Sequence, residues 1–447
     1  MAAMNQTVFD ERRARLCARM NALGGGVAIL PAAHEQTRNA DTLYPFRQES
    51  NFFYLTRFPE PDAIVVIVAG AQPTSVLFCR SKHPEREIWD GFRYGPQDAG
   101  VQFNFDAAFP LDEIDGELPR LLENQPALFV AMGVQAAFDA CVQKWLACVR
   151  NRSRHGVFAP AAMYDIRRDL APMRQIKDAS EIDTMRRAAS ISAAAHLRAM
   201  QTARPGLYEY EVEAEILAEF RRSGSQSPAY NSIVAAGANA CVLHYADNNR
   251  RLNNGELLLI DAGCELDCYA SDVTRTIPVN GRFEGPQRDL YELVLLAQEH
   301  ALAATAPGVT WNVPHDRATR TLAQGMLDLG LLEGSLAHVL ESGSYRKFYM
   351  HRTGHWLGMD VHDVGDYHAA PVSEDANTER PWCSLVKGMV LTVEPGIYIR
   401  PEPGVPESFW NIGIRIEDDV LVTENGCEIL SAAAPKSISD IETAMRT

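Results

Sequence analysis

The C-terminal half of the chain gathers acids and histidines into five short segments, each beside strand-like or glycine-rich text. In ELLLIDAGCELDCYASDVTRTIPV, Asp261 ends an apolar run and Asp272 follows eleven residues later. Two strands joined by a turn near Glu265 to Asp267 would set these carboxylates side by side on one face. An acid at the end of an apolar run is costly unless it is paired or metal-bound, although Asp261 taken alone reads equally well as a turn cap. FYMHRTGHWLGMDVHDVG holds His351, His355 and His362 within a dozen residues, out of 12 histidines in the chain. Such clustering points to metal ligation, proton transfer or both more often than to surface or core histidines. Glu394 closes a short β run in KGMVLTVEPGIY and meets Pro395-Gly396, which also fits a capped turn. In NIGIRIEDDVLV, Ile412, Ile414 and Ile416 alternate with Gly413, Arg415 and Glu417. Period two then places Arg415 and Glu417 on one strand face and the isoleucines on the other; an exposed polar face would read the same. The last segment, NACVLHYADN, ends a short apolar run at His244, a lone histidine that by itself reads as structural.

Together these segments supply Asp261, Asp272, His355, Glu394 and Glu417. Four carboxylates and one neutral imidazole carry four negative charges, which two divalent cations balance. Without cations, four clustered acids repel one another strongly. Mostly hard oxygen donors favour Mn²⁺, with Fe²⁺, Co²⁺ and Zn²⁺ open. Two such ions roughly 3.5–4 Å apart share a water and lower its pKa towards neutrality, and the bridging hydroxide then serves as nucleophile for amide hydrolysis.

The elements that must position these residues follow from the rest of the text. At 447 residues, two domains are the natural division. Hydrophobic residues make up 46%, enough for a core without disulfide staples. With 58 acidic against 42 basic residues the net charge is −16, which argues against nucleic acid as the main partner. Nine cysteines are scattered without a CxxC pair, so neither a disulfide framework nor a structural zinc site is expected, and a reduced cytoplasmic compartment fits. The polar start MAAMNQTVFDERRARL lacks the apolar core of a signal peptide. No apolar run is long enough for a membrane-spanning helix. RRDLAPMRQIKDAS, with Pro172 and a run of charge, marks a boundary. The text ahead of it reads as an α/β domain. Asp10 to Leu23 and Val134 to Val149 are its helices, and Gly25 to Leu30, Ala63 to Val68 and Val76 to Phe78 its strands. Beyond the boundary, Ser180, with Asp183 three residues on, is the expected N-cap of a helix reaching Met200; RPG at 204–206 ends that pattern, and a further helix covers Glu209 to Arg222.

The segments IDAG…SDVTRTIPV, HWLGMDVHDVG, VLTVEPGIYI and GIRIEDD resemble, in order and spacing, the aminopeptidase P family, within the superfamily that includes methionine aminopeptidase, prolidase and creatinase. YPFRQESNFFYLTRFPEPDA and REIWDG are similar to that family's N-terminal domain, so the resemblance covers nearly the whole chain. It implies a creatinase-like α/β domain over residues 1–176 and an α+β pita-bread metallopeptidase domain over 177–447. It further implies that Asp261 chelates one metal, that His355 and Glu394 bind the other, and that Asp272 and Glu417 bridge the two. His244, His351 and His362 would contact substrate and steady the tetrahedral intermediate. Tyr230, Tyr398 and Arg415 would shape the pocket for the proline ring and its carbonyl side. The N-terminal domain would mediate a homodimer or homotetramer and wall the site, with Trp89 a candidate wall residue. The implied activity is release of the N-terminal residue from peptides with proline in second position. Prolidase, which cuts Xaa-Pro dipeptides, shares the five ligands and is the nearest alternative. A non-catalytic peptide-binding relative or a metal-free creatinase-like enzyme is disfavoured because all five ligands are present. One position departs from the pattern: Arg352 follows His351 where many relatives have glycine. Either this loop does not need glycine's backbone freedom, or Arg352 lines the pocket.

Overall fold

The computed structural model describes residues 6–369 and 380–446; the first five residues of the start read above lie outside them. The chain divides into two compact units, Met1–Arg174 and Gln175–Thr447.

In the first unit, short apolar runs assemble a six-stranded mixed sheet. Its strand order is Ala107–Pro110, Thr74–Cys79, Ile64–Ala69, Gly26–Pro31, Ala127–Phe129, Ala162–Tyr164. Gly26–Pro31 runs antiparallel to Ile64–Ala69 and parallel to Ala127–Phe129. Alternation puts Val27, Ile29, Val66, Val76 and Phe78 on one face, where they pack with Phe138, Val142, Trp145 and Val149 of the helix Ala136–Arg150. The spacing of those four helix residues is that of one helical stripe. Pro172, part of the run read as a boundary, lies inside a helix, Arg167–Gln175. One expectation beside it changes. The long helix Ala179–Thr202 is capped by Asp178, not Ser180: the Asp178 carboxylate accepts from the amides of Ser180 and Glu181, while Glu181 accepts from the Asp178 amide. This reciprocal box satisfies several of the donors orphaned at a helix start.

In the second unit, helices Ala179–Thr202, Glu209–Arg222, Gly285–Ala303 and Asn312–Asp328 lay apolar faces on small antiparallel sheets. One sheet orders Ile233–Ala236, Leu257–Asp261 and Thr274–Pro278; another orders Val390–Val393, Asp418–Val422 and Cys427–Ile429; Gly396–Ile399 pairs with Ile412–Arg415. Between Asp261 and Asp272 the chain makes a hairpin in which Leu266 pairs with Tyr269. Its two turn residues, Asp267 and Cys268, have φ of 51° and 64°, the left-handed pair of a type I′ turn that matches strand twist. A Cβ at Gly263 would sit 1.7 Å from the Ser271 carbonyl oxygen, so only glycine lets this hairpin close. Arg275, fully buried, binds the two sheets together: it donates to Asp418 at 2.7 Å and to the carbonyls of Thr274, Glu417, Ala434 and Pro435. Asp418, also completely buried, is held below the ordinary carboxylate range against its burial by Arg275 and Lys436. No helix among the described residues is long and apolar enough to cross a membrane, and all nine cysteines are free thiols.

Candidate active site

Asp261 closes the strand Leu257–Asp261 and pairs in register with Thr274, two residues beyond Asp272. Both carboxylates therefore reach one spot. Tyr230 meets them there, its hydroxyl 2.5 Å from Asp261 Oδ1 and 2.6 Å from Asp272 Oδ1. A phenol has one proton to give, so it donates to one acid while the other keeps a proton of its own or shares a cation. The Tyr230 hydroxyl is thus committed to the acid pair, which leaves its ring for the pocket that the resemblance implies.

The histidine loop is stitched along the strand Val390–Val393. Thr392 N–H donates to the His355 carbonyl at 3.0 Å, and Glu394 N–H donates to the Thr353 carbonyl at 2.8 Å. Gly354 permits this approach, since a Cβ there would lie 2.0 Å from the Thr392 carbonyl oxygen. His355 Nδ1 faces its neighbour's carbonyl, Trp356 O, at 3.0 Å, and must carry the proton. Its Nε2 then points at Asp272 Oδ2 (3.3 Å) and Glu394 Oε1 (3.7 Å). Carbonyl-fixed tautomers of this kind are how histidine presents a lone pair to a metal.

Arg415 and Glu417 share a face, as alternation required, while Ile412, Ile414 and Ile416 enter the core. Glu417 accepts from Thr274 Oγ1 at 2.6 Å. Arg415 is a buried hub: Nη2 donates to Asp261 at 2.5 Å, Nε to Thr274 Oγ1 at 3.1 Å, and Nη1 to the Tyr398 hydroxyl at 3.0 Å. His351 Nδ1 lies 2.7 Å from the Arg352 carbonyl oxygen and must donate to it. Its Nε2 is then bare and accepts the Tyr398 proton at 2.8 Å. Every proton in the chain Arg415–Tyr398–His351 is thereby assigned. His351 Nδ1 also lies 3.9 Å from Glu394 Oε2.

The remaining candidates are spread around this core. The exposed His362 ring stands edge-on to that of His355, with centroids 4.3 Å apart. His244 is exposed, within electrostatic reach of both His351 and His362. Trp89 belongs to the first unit and is 85% exposed on the short helix Pro84–Asp90. Arg352 has a negative φ and turns its guanidinium to Asn312 and over the Trp382 ring, 4.7 Å from the centroid. The loop therefore does without glycine at this position, and Arg352 is held by a helix and a tryptophan. Sequence reasoning missed Thr274 and Thr392, whose hydroxyls hold Glu417 and, at 3.2 Å, Glu394. It also missed Lys177, buried against Asp363 at 3.0 Å behind His362; isolated hydroxyls and a distant lysine leave no local pattern to read.

The donor set suits divalent cations. One ligand atom each from Asp272, His355 and Glu417 lies within 4.8 Å of the others, and Asp261 and Glu394 border them. On their own these buried groups hold charge badly. Burial, then repulsion from Asp272 and the neighbouring acids, pushes Glu417 far above the carboxylate range. Burial pushes Glu394 up to about 7 although His355 and Arg415 oppose it. His355 rises to about 9 in spite of burial, drawn up by Asp272 and Glu394. A set that traps protons at this density is one that cations relieve.

Comparison with known proteins agrees with this geometry. Metallopeptidase family M24 matches residues 183–424, and the aminopeptidase P N-terminal domain matches residues 9–129. The Xaa-Pro aminopeptidase of Haemophilus influenzae is 44% identical over 446 residues, covering 100% of this chain and 98% of that protein. The structure of Pseudomonas aeruginosa aminopeptidase PepP superposes with a TM-score of 0.95 at 46% identity, covering 100% of this chain and 99% of that one. Zinc-substituted Escherichia coli aminopeptidase P in complex with product gives 0.94 at 41% identity, covering 99% and 98%. An α/β unit followed by a pita-bread unit bearing this buried cluster of acids and histidines makes the chain a metallo-aminopeptidase, and it belongs to the Xaa-Pro aminopeptidase (aminopeptidase P) family of the M24 metallopeptidases.

Proposed function

We propose that the enzyme hydrolyses the first peptide bond of chains whose second residue is proline, on a dinuclear centre. The observation that carries this is the convergence of Asp272, His355 and Glu417 donor atoms within 4.8 Å, with Asp261 and Glu394 alongside. Asp261 would hold one ion, His355 and Glu394 the other, and Asp272 and Glu417 both. Hard donors favour manganese; the zinc-substituted relative makes zinc the second candidate. When bound, the ions supply an activated water near neutral pH and a Lewis acid for the scissile carbonyl.

The chain's own groups do the rest. Arg415 orients Asp261 and the Tyr398 hydroxyl, and Tyr398 keeps His351 in one tautomer. Burial, then the charge of Arg415, holds His351 down to about 3, so it works as a neutral hydrogen-bonding group. His362 and His244, both exposed, would meet the substrate's oxyanion and leaving nitrogen. Proline's nitrogen carries no hydrogen once acylated and its φ is fixed, so a pocket for the ring selects bonds that ordinary aminopeptidases refuse. Xaa-Pro-Xaa tripeptides are therefore expected to be cleaved and Xaa-Ala-Xaa hardly at all. Comparable rates on the two would refute the reading, and turnover restricted to Xaa-Pro dipeptides would make the enzyme a prolidase.

We further propose a homodimer or homotetramer. The free thiols support a reducing, cytoplasmic location. The helix Pro84–Asp90 buries none of its residues, and Ile88, Trp89 and Phe92 are 81%, 85% and 65% exposed, an apolar patch of the kind that marks an interface. Sedimentation should give a multiple of the 49.5 kDa chain. An active monomer would leave the patch without this role.

A further inference from the structure

The helix Asn312–Asp328 reaches the histidine loop through His315. Thr353 N–H points at His315 Nδ1 at 3.3 Å, and Thr353 Oγ1 lies 2.8 Å from the same nitrogen. A backbone N–H can only donate, so Nδ1 carries no proton and accepts from both the amide and the hydroxyl. The Tyr349 hydroxyl, 2.5 Å from Thr353 Oγ1, is then obliged to donate to it. The ring's proton sits on Nε2, facing Thr319 Oγ1 at 3.4 Å. This is one consistent proton order running from Tyr349 through Thr353 to His315. Thr353 lies between the two histidines of the site, and its carbonyl takes the Glu394 amide. Asn312, one turn before His315, holds Arg352. Burial, then the nearby Arg352, keeps the His315 pKa down to about 4, which preserves the bare Nδ1 at neutral pH.

We infer that His315 is a positioning residue for the peptidase reaction: its unprotonated Nδ1 fixes, through Thr353, the loop that carries His351 and His355. The inference rests on the roles proposed above for those two histidines. His315 contacts Thr353, Thr319 and Tyr349, none of them a proposed metal ligand, and through Thr353 it sets where the loop's donors stand. Losing the acceptor leaves a buried Thr353 N–H without a partner and frees the loop to shift, and displacements of about 1 Å cost about 100-fold in turnover.

Side-chain shape provides the test. Asparagine places its Oδ1 near the position of Nδ1, glutamine reaches instead towards Nε2, and leucine fills space without accepting. His315→Asn is expected to keep kcat within about threefold, whereas His315→Gln and His315→Leu lose roughly 10- to 100-fold in kcat with smaller changes in KM. The second readout uses Co²⁺ as the probe. The visible spectrum of the cobalt-loaded protein, which reports on His355, should be parental in the Asn variant and altered in the Gln and Leu variants. If Leu retains parental kcat and spectrum, or if Asn behaves as Leu does, the acceptor role is wrong and His315 merely packs. Should the Leu protein not fold, the Asn and Gln pair decides by the same criteria. Failure of the underlying site reading looks different: peptidase activity would then survive Asp272→Ala, and His355→Ala would leave the cobalt spectrum of the parent protein unchanged.

Discussion

Asp272→Ala is expected to lower kcat/KM by roughly 10³-fold or more and to leave the protein with less than its full complement of metal, because the centre supplies several kcal/mol of transition-state stabilisation. Asp272 is the most heavily committed acid of the site. It contacts Tyr230 through one oxygen and His355 through the other, and its amide is held by Asp419 at 3.0 Å. Against its burial, the hydrogen bond from His355 keeps it below the carboxylate range, so it stays charged while its neighbours Glu394 and Glu417 are pushed towards protonation. Removing it takes away the charge that His355 and the proposed bridge both depend on. Elemental analysis and kinetics on the same preparation check this. Two ions per chain with near-normal turnover would show that Asp272 does not bridge. Chelation of the parent enzyme should abolish activity and Mn²⁺ should restore it; full activity in protein shown to be metal-free would overturn the mechanism.

His362→Ala should separate the two quantities that Asp272→Ala couples. His362 meets the site in a near-perpendicular ring contact with His355 and is not one of the five proposed ligands. Its loop is anchored from behind, where the Asp363 carboxylate meets Lys177 with both side chains 1% exposed. The histidine can therefore be removed while its backbone stays in place. A fall in kcat of roughly 10²–10⁴-fold is expected, the range for a lost general acid–base or hydrogen-bonding group, with metal content unchanged. Loss of metal would make His362 a ligand and the set of five incomplete. No change in either quantity would make it structural.

The parts of this site that sequence reveals are those whose physical cost is local. Asp261 at the end of LLLID, Glu394 before a Pro-Gly, and Arg415 and Glu417 alternating with isoleucines each break an apolar rule within a few residues, and each reaches the site. Three strands of the first unit, Gly26–Pro31, Ile64–Ala69 and Thr74–Cys79, were legible to within a residue or two because their runs are continuously apolar, whereas Ala107–Pro110, Ala127–Phe129 and Ala162–Tyr164, only three or four residues long, were not read. What stayed hidden depends on partners far along the chain. Asp178 and Ser180 are both good caps, and only the backbone bend at Asp178 decides between them. Pro172 reads as a breaker, yet it sits within a short helix that tolerates one missing donor. His315 sits on an ordinary amphipathic helix, 38 residues from Thr353. Tyr230 could be placed in the site by resemblance, but that its hydroxyl would serve the acids needed the register of two strands.

Arg415 grips Asp261 across 154 residues of chain, and Thr274 meets Glu417 across 143. Such separations make the site a feature of high contact order, closed only after the intervening helices have docked. A chain in which only one of the two sheets had formed would hold one pair of these acids and not the whole set. Affinity for cations rises steeply at the last step of folding, so ions that bind there favour the native state by mass action and slow its reopening. Metal supply in the cell would then set how long each copy of the enzyme survives as well as how fast it works.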